Sequence, residues 1–95
     1  MKKLTDALNA GKRRGYEEIR LINGTSHVIQ YAIKKQDNLY HTYYFSIEES
    51  RMDLLEDDEH EEIKKFPDLD AALNHLLTKG AKIEKLSTMK KSLPF

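Results

Sequence analysis

A chain of 95 residues without a single cysteine is neither a disulfide scaffold, a thiol enzyme nor a cysteine-ligated zinc module. Its hydrophobic residues, 39% of the total, are clustered and periodic, which argues against a disordered chain, and no apolar run approaches the roughly 20 residues that cross a bilayer. Basic and acidic residues number 16 each and cancel overall, but not locally.

From Met1 to Arg20 six cations stand against three anions. From Ser46 to Glu62 nine anions stand against Arg51 alone, and from Lys79 to Phe95 five lysines stand against Glu84. This basic–acidic–basic layout can steer a charged partner, or the segments can lie together and screen one another. The start, "MKKLTDALNAGKRRG", lacks the apolar stretch of a secretory signal, so a cytoplasmic protein is expected.

In chain order, Leu4, Ala7 and Leu8 share one helical face, so Lys3 to Ala10 reads as a short helix ended by Gly11. "GKRRG" follows as a basic loop. Glu18 to Ile22, Ser26 to Lys35 and Leu39 to Ile47 read as three strands, separated by "NGT" and "QDN". Odd positions carry the apolar residues: Ile19 and Leu21, then His27, Ile29, Tyr31 and Ile33, then Leu39, Tyr43, Phe45 and Ile47. Three-residue loops put all of these on one face, pairing Leu21 with His27, Ile19 with Ile29, Ile33 with His41 and Tyr31 with Tyr43. A two-residue Asn23-Gly24 turn would pair Leu21 with Ser26 and Ile19 with Val28, and would flip the second strand.

Residues 50–66 read either as a fourth strand with an acidic loop or as a charged helix from about Asp53 to Lys65. Asp68 is the expected N-cap of the clearest helix, Leu69 to Lys79, with Leu69, Ala72, Leu73, Leu76 and Leu77 as its apolar stripe and Gly80 closing it. The stretch after Gly80 reads as an edge strand or a short helix. The expected fold is α+β: an antiparallel meander of three to four strands, an amphipathic carboxy-terminal helix on one face and a short amino-terminal helix, in a single domain 1–95. The order helix, strands, helix is similar to that of double-stranded RNA-binding domains. That family's lysine-rich second helix start is replaced here by Asp68 and Asp70, which would repel phosphate, so the family is not carried over.

No hydrolase elbow, zinc-protease motif, P-loop or dinucleotide fingerprint occurs, and neither a cofactor nor a metal site is expected. His27 and His41 share the expected apolar face and could form an acid–base or metal pair, although core histidines are commoner. His60 stands in the acidic run "EDDEHEE", and His75 is expected to face water.

The remaining lead is "NLYHTYYF", whose Tyr40 and Tyr44 fall on the face opposite the expected core. Arg20, Val28, Ala32, Lys34 and Thr42 accompany them, with Tyr16 if the first strand starts early. That face can be ordinary packing, a protein interface, or a stacking platform for nucleic acid. The preferred expectation is a non-catalytic protein-binding or regulatory module. Its partner is another protein, including a second copy of itself. Contact would run through Tyr40, Tyr44 and Arg20, or through the acidic Asp57, Asp58 and Glu59. The alternative is a nucleic-acid-binding domain that uses the tyrosines with Lys12, Arg13, Arg14 and Lys34.

Overall fold

The computed structural model describes residues 2–50 and 61–89. Helix α1 (Lys2–Asn9) buries Leu4, Ala7 and Leu8. It ends where Gly11 takes a φ of 77° and the Lys12 amide donates back to the Ala7 carbonyl at 2.9 Å. Strands β1 (Arg14–Ile22), β2 (Thr25–Gln36), β3 (Leu39–Glu48) and β4 (Glu61–Phe66) follow. Helix α2 (Leu69–Thr78), a 3-10 turn (Ile83–Lys85) and a short β5 (Ser87–Thr88) complete the described chain. The result is one five-stranded antiparallel sheet in the order β4-β3-β2-β1-β5. This is the expected α+β meander, with one further strand returning beside β1. Residues 61–66 are strand rather than charged helix, and the stretch after Gly80 holds both the helical turn and the edge strand.

Asp68 caps α2 as expected, its carboxylate accepting from the Ala71 amide at 2.8 Å. Ala72, Leu73 and Leu76 are buried, but Leu77 points outward, so the apolar stripe is narrower than its spacing suggests. Among the described residues no helix is long and apolar enough to cross a membrane.

The loops are shorter than expected, and this rearranges the faces. Leu21 pairs with Ser26, Ile19 with Val28, and Gln36 with Leu39, so both hairpin turns have two residues. Asn23 and Gly24 have φ of 52° and 79°, and Asp37 and Asn38 have 55° and 63°. Two successive left-handed residues make the turn type whose twist matches the flanking strands. The expectation of three-residue loops fails because it assumed that only one face of the sheet is buried.

Both faces bury apolar residues. On the first, Ile29, Tyr31 and Ile33 of β2 meet Leu4 and Leu8 of α1, Ala72, Leu73 and Leu76 of α2, and Ala81. Tyr16, Tyr40, Tyr44 and Phe66 pack against this cluster. On the second, Val28, Ala32, Tyr43, Phe45, Ile47 and Met89 form a separate buried cluster. The apolar residues of β2 and β3 at odd positions therefore lie on opposite faces, because the two-residue turn opposes odd with even.

Candidate functional site

A row of tyrosines crosses the helix-covered face. Tyr16, Tyr31 and Tyr44 come from β1, β2 and β3 at matched register positions. Ring centroids are 4.9 Å apart for Tyr16 and Tyr31, and 5.7 Å for Tyr31 and Tyr44. Arg20 closes one end. Its Nη2 donates to Glu18 at 3.0 Å, to the Tyr31 hydroxyl at 3.1 Å and to the Gly80 carbonyl at 3.1 Å. The Tyr31 hydroxyl in turn donates to the Lys79 carbonyl at 3.3 Å, and the Lys82 amide donates to the Tyr16 hydroxyl at 2.8 Å. The cluster thus binds the end of α2 and the following turn to the sheet. Burial, and then the Glu18 carboxylate, push the Tyr31 hydroxyl well above the ordinary tyrosine range. Such a phenol is a hydrogen-bonding strut rather than an acid poised near neutrality.

The other end of the row is held by β4. Glu62 meets His75 Nε2 at 2.6 Å and Lys79 Nζ at 3.2 Å, while Lys79 Nζ also lies 5.3 Å from the Tyr44 ring centroid. The His75 ring stacks obliquely on Phe66 at 5.2 Å. Burial would raise the Glu62 carboxyl, but His75 and Lys79 together outweigh it and hold it below its ordinary value. The carboxylate oxygens are taken by His75 of α2 and by Lys79, the residue that caps it, so the group works as a clamp between helix and sheet edge.

Tyr40 and Tyr44 are therefore not on a spare face. They share a face with Ile29, Tyr31 and Ile33 and are half-buried against the helix-side core, and Lys35 Nζ lies 5.5 Å from the Tyr40 centroid. Arg20 and Thr42 lie with them, whereas Val28, Ala32 and Lys34 lie on the opposite face. The cations expected to grip phosphate do not all share the tyrosine face. Lys12 terminates α1, Arg13 donates to the Met89 carbonyl at 2.8 Å, and Arg14 opens β1 on the face opposite Lys34. His27 and His41 lie on opposite faces of the sheet and form no pair, because the turn between their strands opposes odd with even positions. His75 is held by Glu62 rather than facing water. Asp57, Asp58, Glu59 and His60 lie outside the described residues. Among the described residues no three histidine or carboxylate side chains come together in a way that would hold a metal ion.

The feature that sequence reasoning placed in the core is the one the fold exposes. Ile19 is 64% exposed and Leu21 72% exposed, side by side on the second face of β1. Beyond Val28, which is buried opposite Ile19, the β1–β2 hairpin runs out past the second cluster. Glu17 flanks the pair and accepts from the Gln30 amide at 2.7 Å. The Asn23-Gly24 dipeptide carried the signal: read as a two-residue turn, it detaches Ile19 and Leu21 from the face of Ile29 and Tyr31. An open groove of about 420 Å³ between α1 and the 3-10 turn, lined by Lys3, Leu4, Ile83, Glu84 and Leu86, offers one cation and one anion. No protein-family model, curated protein or solved structure matches the chain.

Proposed function

We propose that the chain is a small non-catalytic protein-binding module, and that it meets its partner along β1, at the outer side of the β1–β2 hairpin. The observation that carries this reading is the exposure of Ile19 and Leu21 beside each other on a strand at the open side of the sheet. Single exposed apolar residues are ordinary, but an adjacent pair on an edge strand is a ready contact for another chain. The Tyr31–Arg20 and Glu62–His75 clusters both tie helix to sheet, which supports a structural role for them.

Packing of Tyr40 and Tyr44 into the helix-side core, with Lys34 on the opposite face, weighs against a stacking platform for nucleic acid. Titration of labelled oligonucleotides across a salt series tests that alternative; saturable, salt-sensitive binding would revive it.

The binding reading is tested by placing a photo-crosslinking amino acid at Leu21 in living cells, with exposed Gln36 as the control site. A discrete adduct at Leu21 alone is expected. Equal labelling at both sites, or none at either, would overturn the reading.

A further inference from the structure

We propose that the occupant of the β1 edge is a second copy of this chain, paired antiparallel with Ile19 on the two-fold axis. The proposal rests on the binding reading above and names its partner.

The edge is open over a defined length. Strand β5 pairs only with Arg14 and Gly15, and among the described residues no strand pairs with the outer side of β1 from Tyr16 to Ile22. At the opposite edge, β4 presents Lys64 and Lys65, charges that discourage strand addition. The outer stretch of β1 carries charges of both signs, Glu17, Glu18 and Arg20, of which Glu18 and Arg20 can be matched by a second copy.

Backbone geometry restricts how a second copy can add. Ile22 and Thr25 flank a two-residue turn and exchange both backbone hydrogen bonds, so alternate residues back along β1 do the same. Arg20 and Glu18 thus direct their backbone groups to β2, while Ile19 and Leu21 direct theirs outward. An added antiparallel strand must then oppose odd-numbered residues with odd-numbered ones.

Length and charge choose among the registers that remain, since centring the pair on Leu21 or on Glu17 joins only three open residues of each β1. Centring the pair on Arg20 sets Arg20 against Arg20, and centring it on Glu18 sets Glu18 against Glu18; like charges directly opposed are unfavourable. Centring it on Ile19 sets Glu18 of each copy against Arg20 of the other. Because Glu18 and Arg20 already meet at 3.0 Å within one copy, the two copies complete a square of alternating charge on the helix side. On the other side Ile19 meets Ile19, and each Leu21 stands opposite the other copy's Glu17 and diagonal to its Ile19. This covers Ile19 and partly covers Leu21, the two most exposed large apolar side chains among the described residues. The same register pairs Tyr16 with Ile22 of the second copy, so the added strand ends where β5 begins and leaves β5 in place.

The test uses the full chain, which has no native cysteine. Ile19→Cys places two thiols across the axis, and mild oxidation is expected to give a disulfide dimer. Leu21→Cys is expected to give none, since in this register the two thiols stand about 13 Å apart along the strands, beyond the roughly 7 Å a disulfide tolerates. Sedimentation of the unmodified chain from about 1 μM to about 1 mM is expected to show a concentration-dependent dimer, weakened at least about tenfold by Ile19→Lys. A monomer throughout that range, or cross-linking of Leu21→Cys as readily as Ile19→Cys, would overturn the proposal. A monomer in the centrifuge together with a Leu21-specific adduct of unrelated mass in cells would reject self-pairing while the binding reading stands. No adduct at all would remove both.

Discussion

Gly15 lies flat against the backbone of Tyr31. A Cβ built on Gly15 would overlap the Tyr31 carbonyl oxygen, and it would stand 2.7 Å from Met89 Sδ and 3.0 Å from the Ala32 Cα. Methionine can move aside, but two backbone atoms of a paired strand cannot move without breaking the β1–β2 ladder. Gly15→Ala is therefore expected to destabilise the fold by more than about 3 kcal/mol, as overpacking does where nothing yields. Gly24→Ala is the contrast: its Cβ meets open space, and only the left-handed φ of 79° penalises it, by about 1 kcal/mol. Urea denaturation of both variants checks the order.

The Glu62 clamp predicts a dependence on acid. Its folded carboxyl lies below its ordinary value of 4.5: burial acts against this, and the contacts to His75 and Lys79 more than offset it. A depressed carboxylate contributes stability that is present above the unfolded pKa and lost as pH falls through the folded one. Glu62→Gln is therefore expected to lower the melting temperature at pH 7, with the gap to the unmodified chain closing as pH falls below about 4.5. A gap that stays constant with pH would mean that the contacts act through packing rather than charge.

The elements were legible because each carries its own local chemistry. Asp68 ahead of a leucine stripe marks α2, and alternation with Asn-Gly and Asp-Asn turns marks three strands. The faces were not legible, for a reason of symmetry. With period two, a strand rich in apolar residues at both parities, such as Val28, Ile29, Tyr31, Ala32 and Ile33, fits either register. Assuming one buried face decided wrongly between them. The candidate site follows that error: a single core face sets Tyr40 and Tyr44 opposite the core and Ile19 and Leu21 within it. Contacts between distant segments, such as Glu62 with His75 and Arg20 with Gly80, leave no trace in local patterning.

Tyr31 predicts the alkaline limb. Burial first, and Glu18 after it, hold its hydroxyl protonated well beyond the ordinary value of 10.0, with Arg20 opposing. Burial, followed by Glu61, does the same to Tyr43. A raised folded pKa contributes stability fully present below the unfolded value and lost as pH rises through the folded one. Phenolate absorbance is thus expected to show two tyrosines that titrate only as the chain unfolds. Tyr31→Phe should cost about 1–2 kcal/mol at neutral pH, by stripping Arg20 and the Lys79 carbonyl of a partner. It should also flatten the loss of stability above pH 10.

Two neighbours in β3 test whether the sheet has two working faces. Tyr44 packs toward α2 and Tyr31, while Phe45 lies in the cluster with Val28, Ile47 and Met89. A sheet with a single core face would tolerate one of Tyr44→Ala and Phe45→Ala almost freely. Here both are expected to destabilise: Phe45→Ala by about 3–5 kcal/mol as a buried aromatic, and half-buried Tyr44→Ala by about 2 kcal/mol. At protein concentrations too low for self-pairing, Leu21→Lys, on the same strand face as Ile19, should stay within about 0.5 kcal/mol of the unmodified chain. If chemical denaturation instead finds Phe45→Ala neutral, the second cluster contributes little to folding, and the exposed stripe of Ile19 and Leu21 belongs to a larger apolar face open to a partner.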